Sequence, residues 1–143
     1  MNLPRAVSRA FRRVREPRVE RFIMLATYLL ALMMGVSAWF NPPSSIEGTI
    51  GVALTSAWAI LLMVCGGFGA AGVLPGLWWA ERVATKAGMT GAAIYAAVVA
   101  YLHFDGPGNR LPQFGAIAIV VLVFIGRAYK VRGINYEPRP EKE

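Results

Sequence analysis

His103 and Cys65 are the sole histidine and the sole cysteine among 143 residues, and that scarcity limits the chemistry open to this chain. A haem held by two histidines would need its second ring from another molecule. His103 and Asp105 stand together at the edge of an apolar stretch. They read as a solvated loop pair, since two groups alone hold a metal weakly. Cys65 has no partner for an internal disulfide and reads as a small packing residue. No Gly-rich phosphate loop follows a strand, and one edge histidine cannot complete a Ser/His/Asp set. Ionisable groups inside a bilayer are functional candidates, because each costs about 2.5 kcal/mol or more at its centre. Glu47, Glu81, Asp105, Arg110 and Arg127 all fall at the ends of apolar stretches. Proton-coupled transport by an embedded carboxylate is therefore not expected, nor is any catalytic residue, cofactor or metal. The expectation is a protein that is not an enzyme.

The elements that must carry these residues are apolar and long. Gly48 to Ala80 is an unbroken run without one charged side chain. About 20 helical residues cross a hydrocarbon core ~30 Å thick, so this run crosses with residues to spare. Hydrophobic content of 56% and a mean hydropathy of +0.47 are too high for a domain that must face water. A β-branched run such as Ile117 to Ile125 would suggest a strand in water. A lone strand in lipid leaves its backbone unsatisfied, so a helix is expected there too. The fold expected is all-α and integral to the membrane: four transmembrane helices over about 22–40, 45–72, 87–104 and 111–128, in a bundle with short loops.

Residues 1–21 precede the bundle and carry seven arginines, among them Arg12, Arg13 and Arg15. Leu3, Val7, Ala10, Phe11 and Val14 recur at helical spacing, which predicts a basic amphipathic helix in the headgroup layer. Its partner would be anionic lipid, and with no aromatic platform beside the charge, nucleic acid is not expected. Asn41-Pro42-Pro43 ends the first span, and Ser44 with Glu47 fits a capping box opening the second. Pro75 suggests a kink or break after the second span. Residues 131–143, with Pro138, Pro140 and mixed charge, are expected to be a disordered tail.

Small residues mark where helices should meet. Gly66, Gly67, Gly69 and Gly72 leave the second span nearly without bulk, and Gly88, Ala92, Ala96 and Ala100 recur every four residues on the third. In lipid such surfaces let backbones approach and gain dispersion contacts, within one chain or between copies in a homo-oligomer. Trp78, Trp79 and Arg82 read as an interfacial anchor, and at the last span Arg127 should snorkel outward beside Tyr129.

The run Gly72-Val73-Leu74-Pro75-Gly76-Leu77-Trp78-Trp79-Ala80-Glu81-Arg82, followed by Gly108-Asn109-Arg110-Leu111-Pro112-Gln113 before a last short helix, carries a resemblance. Over roughly residues 20–130 the chain resembles small four-span membrane proteins encoded by phages of actinobacteria, often filed as holins. That resemblance implies accumulation in the inner membrane and permeabilisation by self-association at host lysis. The alternative is a non-lytic interaction protein: a regulator, a phage-exclusion factor or an accessory subunit that holds another membrane protein.

Four spans place both ends of the chain on one side. That side collects Arg5, Arg9, Arg12, Arg13, Arg15, Arg18, Arg21, Arg82, Lys86, Arg127, Lys130, Arg132, Arg139 and Lys142, leaving only Arg110 opposite. By the positive-inside rule both termini are cytoplasmic, in a bacterial inner membrane. Alkaline phosphatase, active only outside the cytoplasm, should stay silent when fused to either terminus and become active when inserted at Gly108.

Overall fold

A computed structural model describes residues 18–106 and 108–132. Among them every regular element is helical: α1 (Arg18–Phe40), α2 (Ser44–Val73), α3 (Trp78–Asp105) and α4 (Leu111–Arg132). All four are long and apolar enough to cross a membrane. Each packs against its neighbour in sequence, α1 on α2, α2 on α3 and α3 on α4. The expected amphipathic helix, with Arg12, Arg13 and Arg15, and the tail beyond 132 lie outside the described residues.

Local chemistry ends the helices. Asn41 N–H still bonds to Ser37 O at 2.8 Å before two prolines, which donate no N–H, stop α1. Pro43 occupies the N-cap of α2, and its carbonyl receives the Ile46 and Glu47 amides at 2.9 and 3.0 Å. The expected capping box is therefore absent: Ser44 has moved into the first turn and no side chain caps the helix. Gly51 breaks α2 at φ +80°, and the Thr55 hydroxyl donates to its carbonyl at 2.9 Å. This kink is about two turns into α2, far from Pro75. At Pro75 α2 ends outright: Gly76 turns at φ +78° while the Gly76 and Leu77 amides both bond to Gly72 O at 2.9 Å.

The third helix begins at Trp78 rather than near residue 87, so Trp78, Trp79, Glu81, Arg82 and Lys86 stand on its first turns and not in a loop. At ~1.5 Å per residue its 28 residues reach ~42 Å, enough to cross a bilayer and project beyond it. Likewise α4 runs on through Arg132. Between them His103 Nδ1 accepts the Arg110 amide at 3.3 Å, and Asn109 Oδ1 accepts the Leu111 amide at 3.0 Å.

Two apolar clusters fill the bundle. Met24, Tyr28, Cys65, Val73, Ala84 and Phe124 form one; Ala38, Ile46, Trp58, Ala59, Leu62 and Val98 form the other. In the second, Trp58 Nε1 donates to Gly91 O at 3.0 Å and its ring lies 5.5 Å from that of Tyr95. Large apolar side chains also cover the outside, including Ile23, Leu30, Met33, Val52, Ile119 and Leu122. An exterior of that kind is stable against lipid and not against water.

Glycine sets how closely the helices approach. A Cβ on Gly66 would overlap the backbone of Leu32, and one on Gly69 the ring of Tyr28. Gly35, absent from the small-residue surfaces read from sequence, meets the Met63 amide at 2.7 Å by the same measure. Gly67 has nothing within 4 Å. Gly66→Ala should destabilise the bundle by about 1–3 kcal/mol through overpacking, and Gly67→Ala should not destabilise it. Equilibrium unfolding in mixed micelles measures both.

Candidate functional site

The buried face of α3 repeats at three- and four-residue steps: Glu81, Ala84, Thr85, Gly88. That of α4 does the same through Phe124, Arg127 and Val131. Helical periodicity therefore turns one carboxylate and one guanidinium towards each other among apolar side chains. Glu81 is 0% exposed and Arg127 6%. Arg127 Nη2 donates to both Glu81 oxygens, at 2.6 and 2.9 Å. Its Nη1 reaches Glu20 Oε1 of α1 at 3.0 Å, and the same oxygen accepts from Lys130 Nζ at 2.8 Å. Among the described residues, two carboxylates, a guanidinium and an ammonium thus join three helices.

This geometry corrects two expectations. Arg127 does not snorkel outward; it turns inward, where its guanidinium donates to both oxygens of the enclosed Glu81 carboxylate. The argument against embedded carboxylates also loses its premise. Glu20 and Glu81 lie within span-capable helices, and Glu81 is wholly enclosed. Starting the third helix near residue 87 hides this. Extending the small-residue stripe of Gly88 back by one and two turns reaches Ala84 and then Glu81, and that register was the available signal.

A second cation supports the same end of the bundle. Arg21 is buried, and its Nη1 donates to Leu74 O at 3.1 Å and Val73 O at 3.4 Å. A guanidinium here satisfies carbonyls left over at the C-terminus of α2 and complements that end of its dipole. Gly76 makes the room, since a Cβ there would stand 3.3 Å from the guanidinium.

The interfacial residues occupy the same end. Trp78, Trp79 and Tyr129 are exposed, while Arg82 is half-buried with its guanidinium carbon 4.8 Å from the Trp78 ring centroid. Trp79 meets Phe68 edge to face at 6.1 Å. Of the helix-packing residues, Gly66, Gly69 and Gly72 contact α1 or α3, and Gly88 faces Cys65 and Phe124. Ala92, Ala96 and Ala100 are half-buried along α3, and Gly67 faces outward.

Chemically the network is a set of charge-assisted hydrogen bonds. The Thr85 hydroxyl is turned to the Glu81 backbone carbonyl at 2.9 Å, away from its carboxylate. Among the described residues no three His, Cys, Asp or Glu side chains gather where a metal could bind. Arg127→Ala should destabilise the protein by about 3–5 kcal/mol, because it takes from the enclosed Glu81 carboxylate the guanidinium that bonds to both its oxygens. Combining it with Glu81→Leu should restore much of that loss, whereas Lys130→Ala, at an exposed pair, should cost about 0–1 kcal/mol. Unfolding in mixed micelles tests all three. Comparison with known proteins finds no family model, no curated relative and no solved structure that matches this chain.

Proposed function

We propose that this small multi-pass protein resides in a bacterial inner membrane with both termini cytoplasmic, and works by association within the bilayer rather than by catalysis. Its arginine-rich end faces anionic headgroups, and nucleic acid is not among its partners. Of the two forms of association, a non-lytic interaction protein, acting as regulator, exclusion factor or accessory subunit, has the better support. One observation carries that choice. Gly66, Gly69, Gly72 and Gly88, the residues best suited to join copies, are already occupied by contacts inside one chain. Helices paired in this way offer their neighbours an exterior surface rather than these glycine faces.

Holin-like permeabilisation remains the second reading, favoured by a different pair of surfaces. Gly67 and Ala71 on α2, and Ala93 and Ala97 on α3, are exposed at four-residue spacing. Copies could pack through these smooth outer steps, as the resemblance to phage-encoded proteins implies.

Controlled expression with a potential-sensitive dye separates the two. The non-lytic reading expects growth and membrane potential to continue, with a second membrane protein recovered after gentle solubilisation and crosslinking. Abrupt loss of potential after a delay, abolished by Ala71→Ile or Ala97→Ile, would transfer the assignment to permeabilisation.

A further inference from the structure

The charged end of the bundle divides its cations into two sets. Arg127 and Lys130 are matched by Glu81 and Glu20. Arg82 and Lys86 stand one turn apart on α3, ~6 Å along its axis, and neither pairs with a carboxylate among the described residues. Like charges at that spacing repel each other. Both are nonetheless kept on the outside: Lys86 is exposed, and Arg82 is half-buried with its guanidinium against the Trp78 ring. Trp79 leans edge-on against Phe68 of α2. Viewed down α3, Trp78 and Trp79 are separated by about 100°, and Arg82 and Lys86 fall in the sector between them.

Depth and the surface below select the ligand. From Ala87 to Phe104 the helix carries no Asp, Glu, Lys or Arg, and that stretch rises ~27 Å, close to a hydrocarbon core of ~30 Å. Lys86 therefore stands where hydrocarbon gives way to headgroups, with Arg82 and the indoles just beyond it. On the hydrocarbon side the same sector exposes Thr90, Ala93 and Ala97, whose small side chains leave room for an acyl chain against the helix. We propose that Arg82 and Lys86, between Trp78 and Trp79, seat one anionic phospholipid, its phosphodiester on the two cations and a chain along Ala93 and Ala97. The seat rests on the proposed inner-membrane residence for its source of lipid, and adds a defined position to a general attraction for headgroups. Two unmatched cations favour a lipid of net negative charge, because a zwitterionic headgroup brings an ammonium that they repel. The indoles hold the headgroup level.

Native mass spectrometry of the purified full chain, released from non-ionic detergent after mixing with phosphatidylglycerol, counts the bound lipid. One molecule should stay bound under activation that strips phosphatidylcholine. Arg82→Gln and Lys86→Gln should each weaken retention about fivefold, and the double variant should abolish the preference. Arg132→Gln removes an exposed cation from the same end and should change nothing. Lys86 is fully on the surface, so Lys86→Gln carries the test even if Arg82→Gln fails to fold. Equal retention of the two lipids overturns the seat, as does a double variant that binds like the native chain. Loss from Arg132→Gln as large as from Lys86→Gln also overturns it, since that marks diffuse charge. Displacement of the lipid by inorganic phosphate would reassign the cations to a free anion and refute a lipid seat. None of these readings depends on which way the termini face, so the topology can fail while the seat stands, and the reverse.

Discussion

Enclosing Glu81 fixes much else about this bundle. A carboxylate in a medium of low dielectric is tolerated only with a partner of good geometry, and the fork of one guanidinium serves two carboxylates, Nη2 donating to both Glu81 oxygens and Nη1 to Glu20. To deliver that fork, α4 must present Arg127 inward, which places Phe124 three residues earlier against Gly88 and Cys65. To accept it, α3 must already be helical at Glu81, so the turn from α2 has to finish by Leu77. The left-handed Gly76 and the Arg21 guanidinium beneath it complete that turn in so few residues. One buried charge thus links a loop length, a helix start and the register of two helices.

Close approach does the corresponding work along the helices. Lipid gives apolar side chains no reason to leave it, so association must come from dispersion at short range and from bonds between helices. Gly35, Gly66 and Gly69 bring α1 and α2 together where any Cβ would overlap. Trp58 does the opposite at the other end, filling the space between α2 and α3 with an indole whose N–H finds the Gly91 carbonyl. One end of the protein is therefore held by charge and the other by an aromatic anchor, with glycine contacts between.

Much of this architecture was legible in the sequence because hydrocarbon thickness imposes a length and charge is excluded from it. The number of spans follows from that rule, and the α1–α2 break at Asn41-Pro42-Pro43 from prolines that donate no N–H. Boundaries next to charges were not legible. Glu81, Arg82 and Lys86 look like a hydrated loop when lipid is assumed to touch every face of a helix, yet one face of α3 touches only protein. The same assumption sends Arg127 outward. Ser44 misleads for a local reason, since Pro43 takes the N-cap and leaves the hydroxyl one position too late. Gly35 is missed because a single glycine among leucines and methionines carries no repeat.

Arg127 could have been satisfied in two ways, and the choice between them depends on what each leaves behind. Snorkelling would hydrate the guanidinium at the headgroup layer, near Tyr129, and would separate it from Glu81. The carboxylate would then remain among Ala84, Thr85 and Gly88 with its strongest donor gone. Turning inward removes one cation from water but satisfies two anions on two different helices, and Lys130 completes the balance at the rim. Because α4 meets α1 through Arg127 and Lys130 on Glu20 and through the Tyr28–Phe124 contact, rather than along a packed face, the bundle closes by electrostatics where it lacks packing. An arginine that looks from sequence like a topology marker is, in three dimensions, the group that joins the first helix to the last.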